Sequence, residues 1–168
     1  MRLYLVRHGQ ATSPQENPRR PLSAKGRSEV ERMASFLARS GVRPRRVLHS
    51  GKLRAGETAA ILARALAPGL MLEESAGLGP EDSPDRLISA ARGWVEAALD
   101  GRGGTSAAAN DVLVVGHMPF MARALAALVG ADTSLEFAAF ATGAVTCLES
   151  ENGKWRLLWL VAPELLGG

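Results

Sequence analysis

The sequence predicts an α/β fold: a three-layer sandwich with a mostly parallel central sheet, an antiparallel edge, a C-terminal hairpin, and helices on both faces. Three observations carry that prediction. Short apolar strand-like runs alternate with longer segments of helical periodicity. The run from Asp111 to Val115 is almost wholly apolar, as expected of a strand covered on both faces. Asn152-Gly153 then separates two strand-like runs near the end of the chain, the residue pair that best favours a tight hairpin.

Taken in order, residues 2–6 read as the first strand, with Leu3, Leu5 and Val6 apolar. Arg20-Pro21-Leu22-Ser23 interrupts, and Ser23 is the expected N-cap of a helix over 24–39 with Val30, Met33, Ala34 and Leu37 on one face. Ser40-Gly41 ends it. Val47-Leu48 opens a second strand, and Arg54 to Ala67 a second helix, stopped by Pro68-Gly69. Residues 73–84 are expected to be a polar loop. Ser83-Pro84 starts a third helix with Leu87, Ile88, Ala91, Val95 and Ala98 apolar. A low-complexity loop is expected over residues 101–106. The Asp111–Val115 strand follows, then a helix opened by Pro119 and ending near Gly130. Strands near 144–148 and 155–161 complete the hairpin. At 168 residues, with no repeat or linker, the chain is expected to form a single domain, 1–168.

Composition narrows the function. No apolar run approaches the roughly 20 residues of a membrane helix, and the N-terminus has no signal-peptide pattern, so a cytoplasmic protein without membrane association is expected. The single Cys147 sits in an apolar run and reads as a small buried hydrophobe. The net charge is +3, with clusters at Arg19-Arg20 and Arg43-Pro44-Arg45-Arg46. No nucleic-acid motif accompanies them, so they read as a solvated basic face, and no nucleic-acid partner is expected. Positive potential near a cleft would still draw in anionic substrates.

Three segments share one design, in which a strand ends and delivers polar residues to a following loop or helix. They are Arg7-His8-Gly9, Ser50-Gly51-Lys52-Leu53-Arg54-Ala55 and Gly116-His117-Met118-Pro119. In open α/β sheets, ligands bind outside the carboxyl ends of the strands, so two histidines and two arginines are expected at one crevice. Arginine presents planar, permanently charged forks that match phosphate oxygens. A neutral imidazole offers a lone pair to phosphorus. Gly9 is expected to let the backbone approach a ligand. No metal site is expected: the three histidines, His8, His49 and His117, form no close-spaced pair. A Gly-rich triphosphate loop ending in Lys-Ser/Thr is also missing.

These residues resemble the histidine phosphatase superfamily, the phosphoglycerate mutase-like group, and within it the SixA-like phosphohistidine phosphatases. The resemblance rests on Arg7-His8-Gly9-x-Ala11, Arg20-Pro21-Leu22-Ser23-x-x-Gly26, Ser50-x-x-x-Arg54-Ala55-x-x-Thr58, Leu78-x-Pro80 and Gly116-His117-x-Pro119, in that order. It implies a metal- and cofactor-independent phosphatase in which His8 becomes a phosphohistidine and Arg7, Arg54 and His117 hold the phosphoryl group. Two places depart from the mutase-like members, where Gln10 and Pro14 replace their Glu and Asn. Their acidic proton donor has no clear counterpart; Glu81 or Asp82 is the expected donor if one exists. The resemblance therefore favours a phosphorylated protein of the histidine-phosphotransfer type as partner. A small phosphate ester is the alternative substrate, and a non-catalytic phosphate-binding module is a third reading.

Overall fold

The computed structural model describes residues 1–100, 110–132 and 138–167. Its six strands are β1 (Arg2–Arg7), β2 (Arg46–His49), β3 (Leu72–Glu74), β4 (Val112–Gly116), β5 (Val145–Glu151) and β6 (Lys154–Val161). They form one sheet in the order β3-β2-β4-β1-β5-β6. The first four positions pair in parallel, and β5 and β6 add the antiparallel edge. The helices are α1 (Ala24–Arg39), α2 (Leu53–Leu66), α3 (Asp85–Leu99) and α4 (Phe120–Val129).

Alternation along the central strands sorts the core into two layers, because successive side chains point to opposite faces. Tyr4 and Val6, with Leu113 and Val115, pack beneath α1 and α2. Leu3 and Leu5, with Val112 and Val114, pack beneath α3 and α4. The helices contribute the stripes their spacing predicts: Val30, Met33, Ala34 and Leu37 of α1 are buried, as are Leu87, Ala91 and Val95 of α3. Ser23 caps α1 by accepting from Gly26 N at 3.0 Å. Gly130 ends α4 in the left-handed region that a helix terminus demands of it. Asn152 and Gly153 both have positive φ, the geometry of a tight hairpin turn between β5 and β6. Cys147 is free and buried.

One expectation needs correction. Residues 73–84 do not begin as loop, because Leu72–Glu74 is an edge strand parallel to β2. A strand of three residues, two of them acidic, carries almost no apolar signal. It is held by the β2 backbone and by Arg46, whose Nε and Nη2 donate to the two Glu73 oxygens at 2.8 and 2.5 Å. That pair also gives one member of the basic 43–46 cluster a structural role. Arg43 gives a second: its guanidinium donates to the carbonyls of Ala38, in the last turn of α1, and of Val42, just beyond it. The low-complexity stretch 101–106 lies outside the described residues. Among the described residues, no helix is long and apolar enough to cross a membrane.

Candidate functional site

Strand register brings the three polar segments together. In the parallel β1–β4 pair, Arg7 lies opposite Gly116, so His8 and His117 follow side by side. In the β2–β4 pair, His49 lies opposite Val115, which sets Ser50 beside Gly116 and its successor His117. The chain leaves β1 and β2 toward α1 and α2 on one face, but leaves β4 toward α4 on the other. Connections diverging from adjacent strand ends open a crevice there, and the two histidines flank it.

The His8 backbone is fixed first. Its N–H donates to Gly116 O at 3.0 Å, and Gly9 N donates to Thr58 Oγ1 on α2 at 3.0 Å. Packing alone already requires glycine at Gly9. A Cβ there would lie 2.7 Å from Val30 Cγ2 and 3.1 Å from both Gly26 O and Leu22 Cδ2. Gly26 is the reciprocal case, since its Cβ would collide with the Gln10 backbone. The two glycines let α1 press directly on the segment that follows the first strand.

The imidazoles are then locked by a guanidinium. His8 Nδ1 lies 2.7 Å from Gly9 O, and a carbonyl can only accept, so Nδ1 carries the proton. His8 Nε2 accepts from Arg54 Nε at 3.1 Å and therefore holds the lone pair. Arg54 Nη2 reaches His117 Nδ1 at 3.4 Å, while His117 Nε2 lies 2.6 Å from Ser50 Oγ. The two rings are 4.8 Å apart, centroid to centroid. Arg7 is anchored by Nη1 donating to Phe140 O at 2.6 Å, and its buried Nε has no partner among the described residues.

Both histidines are held neutral. His8 is 8% and His117 1% exposed. Burial, reinforced by the charges of Arg54, Arg7 and Arg20, outweighs the Gly9 carbonyl and lowers His8 to about 4. Burial, with His8, Arg54, Lys52 and Arg20, lowers His117 to about 3. The arginines therefore act as expected on His8, but desolvation is the larger cause. Burial also lowers Arg7 and, together with Arg20, Arg54.

The structure thus brings His8, Arg54 and His117 into one bonded chain and keeps Arg7 at the same strand end. Glu81 and Asp82 lie apart from that chain. They line an open cleft of about 540 Å³ with Ser50, Lys52, Glu74 and Pro80, which meets the histidine pair at Ser50. Asp82 is occupied as a turn cap, with Oδ2 accepting from Gly79 N at 2.7 Å. Among the described residues, no three His, Cys, Asp or Glu side chains gather closely enough to hold a metal ion.

Sequence reasoning gave no role to Ser50, Thr58, Arg20 or Lys52. Arg20 stands at positive φ, its Nε donating to Thr12 O at 3.2 Å, and its charge acts on His8, Arg54 and His117. The Ala11–Leu22 bridge returns that loop to the strand end. The position of Arg20 beside Pro21 in a motif was the available signal.

Two buried, neutral imidazoles bracketed by arginines at a strand-end crevice form a site whose donors and positive charge suit an anion. The chain belongs to the histidine phosphatase superfamily: the model of its branch 1 matches residues 3–79. Phosphohistidine phosphatase SixA of Escherichia coli (strain K12) is 30% identical over 164 residues, spanning 97% of this chain and 94% of that protein. The solved structure of the protein histidine phosphatase SixA complexed with tungstate superposes with a TM-score of 0.81 at 27% identity, covering 99% of both chains. The mycobacterial glucosyl-3-phosphoglycerate phosphatase complexed with VO3 shares the fold at 20% identity, with a TM-score of 0.71 over 94% of this chain and 98% of that one. The chain is accordingly a phosphatase of the SixA-like type in fold and sequence.

Proposed function

We propose that the chain removes phosphoryl groups from phosphohistidine on a protein, through a phosphohistidine formed on His8 Nε2. The observation that carries this reading is the tautomer of His8: with its proton held on Nδ1 by Gly9 O, the lone pair sits on Nε2. Arg54 occupies that lone pair in the structure. An arriving phosphoryl group offers the guanidinium better acceptors, because its oxygens carry negative charge and match the planar fork, whereas the His8 nitrogen is a single neutral acceptor. Arg54 and Arg7 then hold its oxygens while Nε2 attacks phosphorus opposite the leaving nitrogen. The new N–P bond forms as the substrate's N–P bond breaks, and the freed imidazole keeps the electron pair and a proton. Water next attacks phosphorus, the His8–phosphorus bond breaks, and inorganic phosphate leaves. Preorganised donors around the transferring group supply most of the acceleration, typically about 10²–10³-fold for each donor.

The leaving group distinguishes two substrate classes. An imidazole already protonated on its ring leaves without help, whereas an alkoxide needs a proton in the transition state. The likeness to SixA over nearly the whole chain favours the first class, a partner of the histidine-phosphotransfer type. One observation favours the second: Glu81 and Asp82 line the cleft that adjoins the histidine pair, where a proton donor for a small phosphate ester would stand.

A phosphorylated histidine-phosphotransfer domain offered beside a panel of phosphate monoesters decides between them. The expected result is faster turnover of the phosphoprotein, with Glu81→Gln and Asp82→Asn leaving that turnover unchanged. Faster turnover of several monoesters, reduced by either substitution, would replace the first reading with the second.

A further inference from the structure

His117 is bonded at both ring nitrogens, and the chemistry of its two partners differs. A guanidinium only donates, so Nδ1 accepts from Arg54, the ring proton sits on Nε2, and Ser50 Oγ accepts it. That arrangement is wrong for the bound state. Once Arg54 turns its N–H groups to phosphoryl oxygens, Nδ1 presents a lone pair toward an anion, and two acceptors face each other. A second ring proton would relieve this, but the ring is 1% exposed and its neighbours Arg54, Lys52 and Arg20 are cations. A hydroxyl offers the other solution, because it accepts and donates equally well.

We propose that Ser50 is a positioning residue that lets His117 exchange its Nε2–H form for its Nδ1–H form when a phosphoryl group binds. In the bound state the Ser50 hydroxyl turns and donates to Nε2, and neutral His117 donates from Nδ1 to a phosphoryl oxygen. One proton leaves Nε2 for solvent and one arrives on Nδ1, so the ring's charge is unchanged. Ser50 suits this role because it is the last residue before a turn, with Oγ 2.6 Å from Nε2 and one side on the adjoining cleft, where water reaches it. The idea rests on the reading that the pocket takes a phosphoryl group.

The test is nitrogen NMR of the full chain carrying ¹⁵N-labelled histidine, without and with tungstate as the phosphoryl mimic. The expected result is an Nε2–H signal for His117 in the free protein and an Nδ1–H signal in the complex. Ser50→Ala is expected to lose the exchange and bind tungstate about 10-fold more weakly, the effect of leaving one buried nitrogen unpartnered. Ser50→Thr, which keeps the hydroxyl, is expected to recover both. A wild-type protein that binds tungstate with His117 unchanged, or doubly protonated, overturns the role of Ser50 and leaves the pocket standing. Wild-type affinity in Ser50→Ala, or a Ser50→Thr variant as defective as Ser50→Ala, also overturns it. Failure of the wild type to bind tungstate would overturn the pocket reading itself, and this inference with it.

Discussion

In the fold His8 gains a proton only near pH 4, because burial and three arginines oppose the imidazolium. In the unfolded chain the same ring titrates near its ordinary value of about 6.5. Between those two values the unfolded state binds more protons, so stability falls as pH falls through the window and is fully present above it. Integrating from about pH 7.5 down to about pH 4.5 gives a loss of roughly 2–3 kcal/mol from His8 alone. His117, lowered to about 3, contributes a further loss of similar size, so the wild type should weaken steeply. His8→Asn removes the His8 titration together with the part of the His117 shift that His8 causes, so the difference between the two proteins reports all that depends on His8. Urea melts of both proteins at the two pH values provide the assay. The wild type should lose roughly 2–3 kcal/mol more than the variant between them. Parallel losses would refute the argument, since they would mean that His8 titrates in the fold as it does in water.

Arg54→Lys should lower kcat/KM by about 100-fold or more, because an ammonium cannot bridge both rings and present a planar fork to the phosphoryl group; steady-state kinetics measure it. Two glycine substitutions should have opposite signs. Gly26→Ala drives a Cβ into the Gln10 backbone and should cost about 1–3 kcal/mol, with reduced activity because His8 sits two residues before Gln10. Gly93→Ala, in α3 with open space around it, should instead stabilise by about 0.5–1 kcal/mol, read as an upward shift in Tm.

The parts of this molecule legible in its sequence are those written in local pattern. The strand-to-loop transitions after Val6, Leu48 and Val115 are visible as apolar runs ending in polar residues, and parallel register does the rest. Strand β3 is not visible, because what holds it is the backbone of β2 and one arginine pair. The Phe140 carbonyl that anchors Arg7 comes from a distant irregular segment, and nothing near Arg7 announces it. Gly9 was legible as a close approach, but the packing of Val30 on α1 against it was not. Ser50 looks like any turn serine until its hydroxyl is placed 2.6 Å from His117.

The central claim is that the phosphoryl group passes through His8 Nε2. Rapid acid-free quenching of the enzyme during turnover of a labelled substrate, followed by peptide mapping, tests it most directly. The account predicts acid-labile, base-stable phosphate on the peptide containing His8, absent from His8→Ala along with the activity. Label on any other residue, or sustained turnover by His8→Ala, would contradict it.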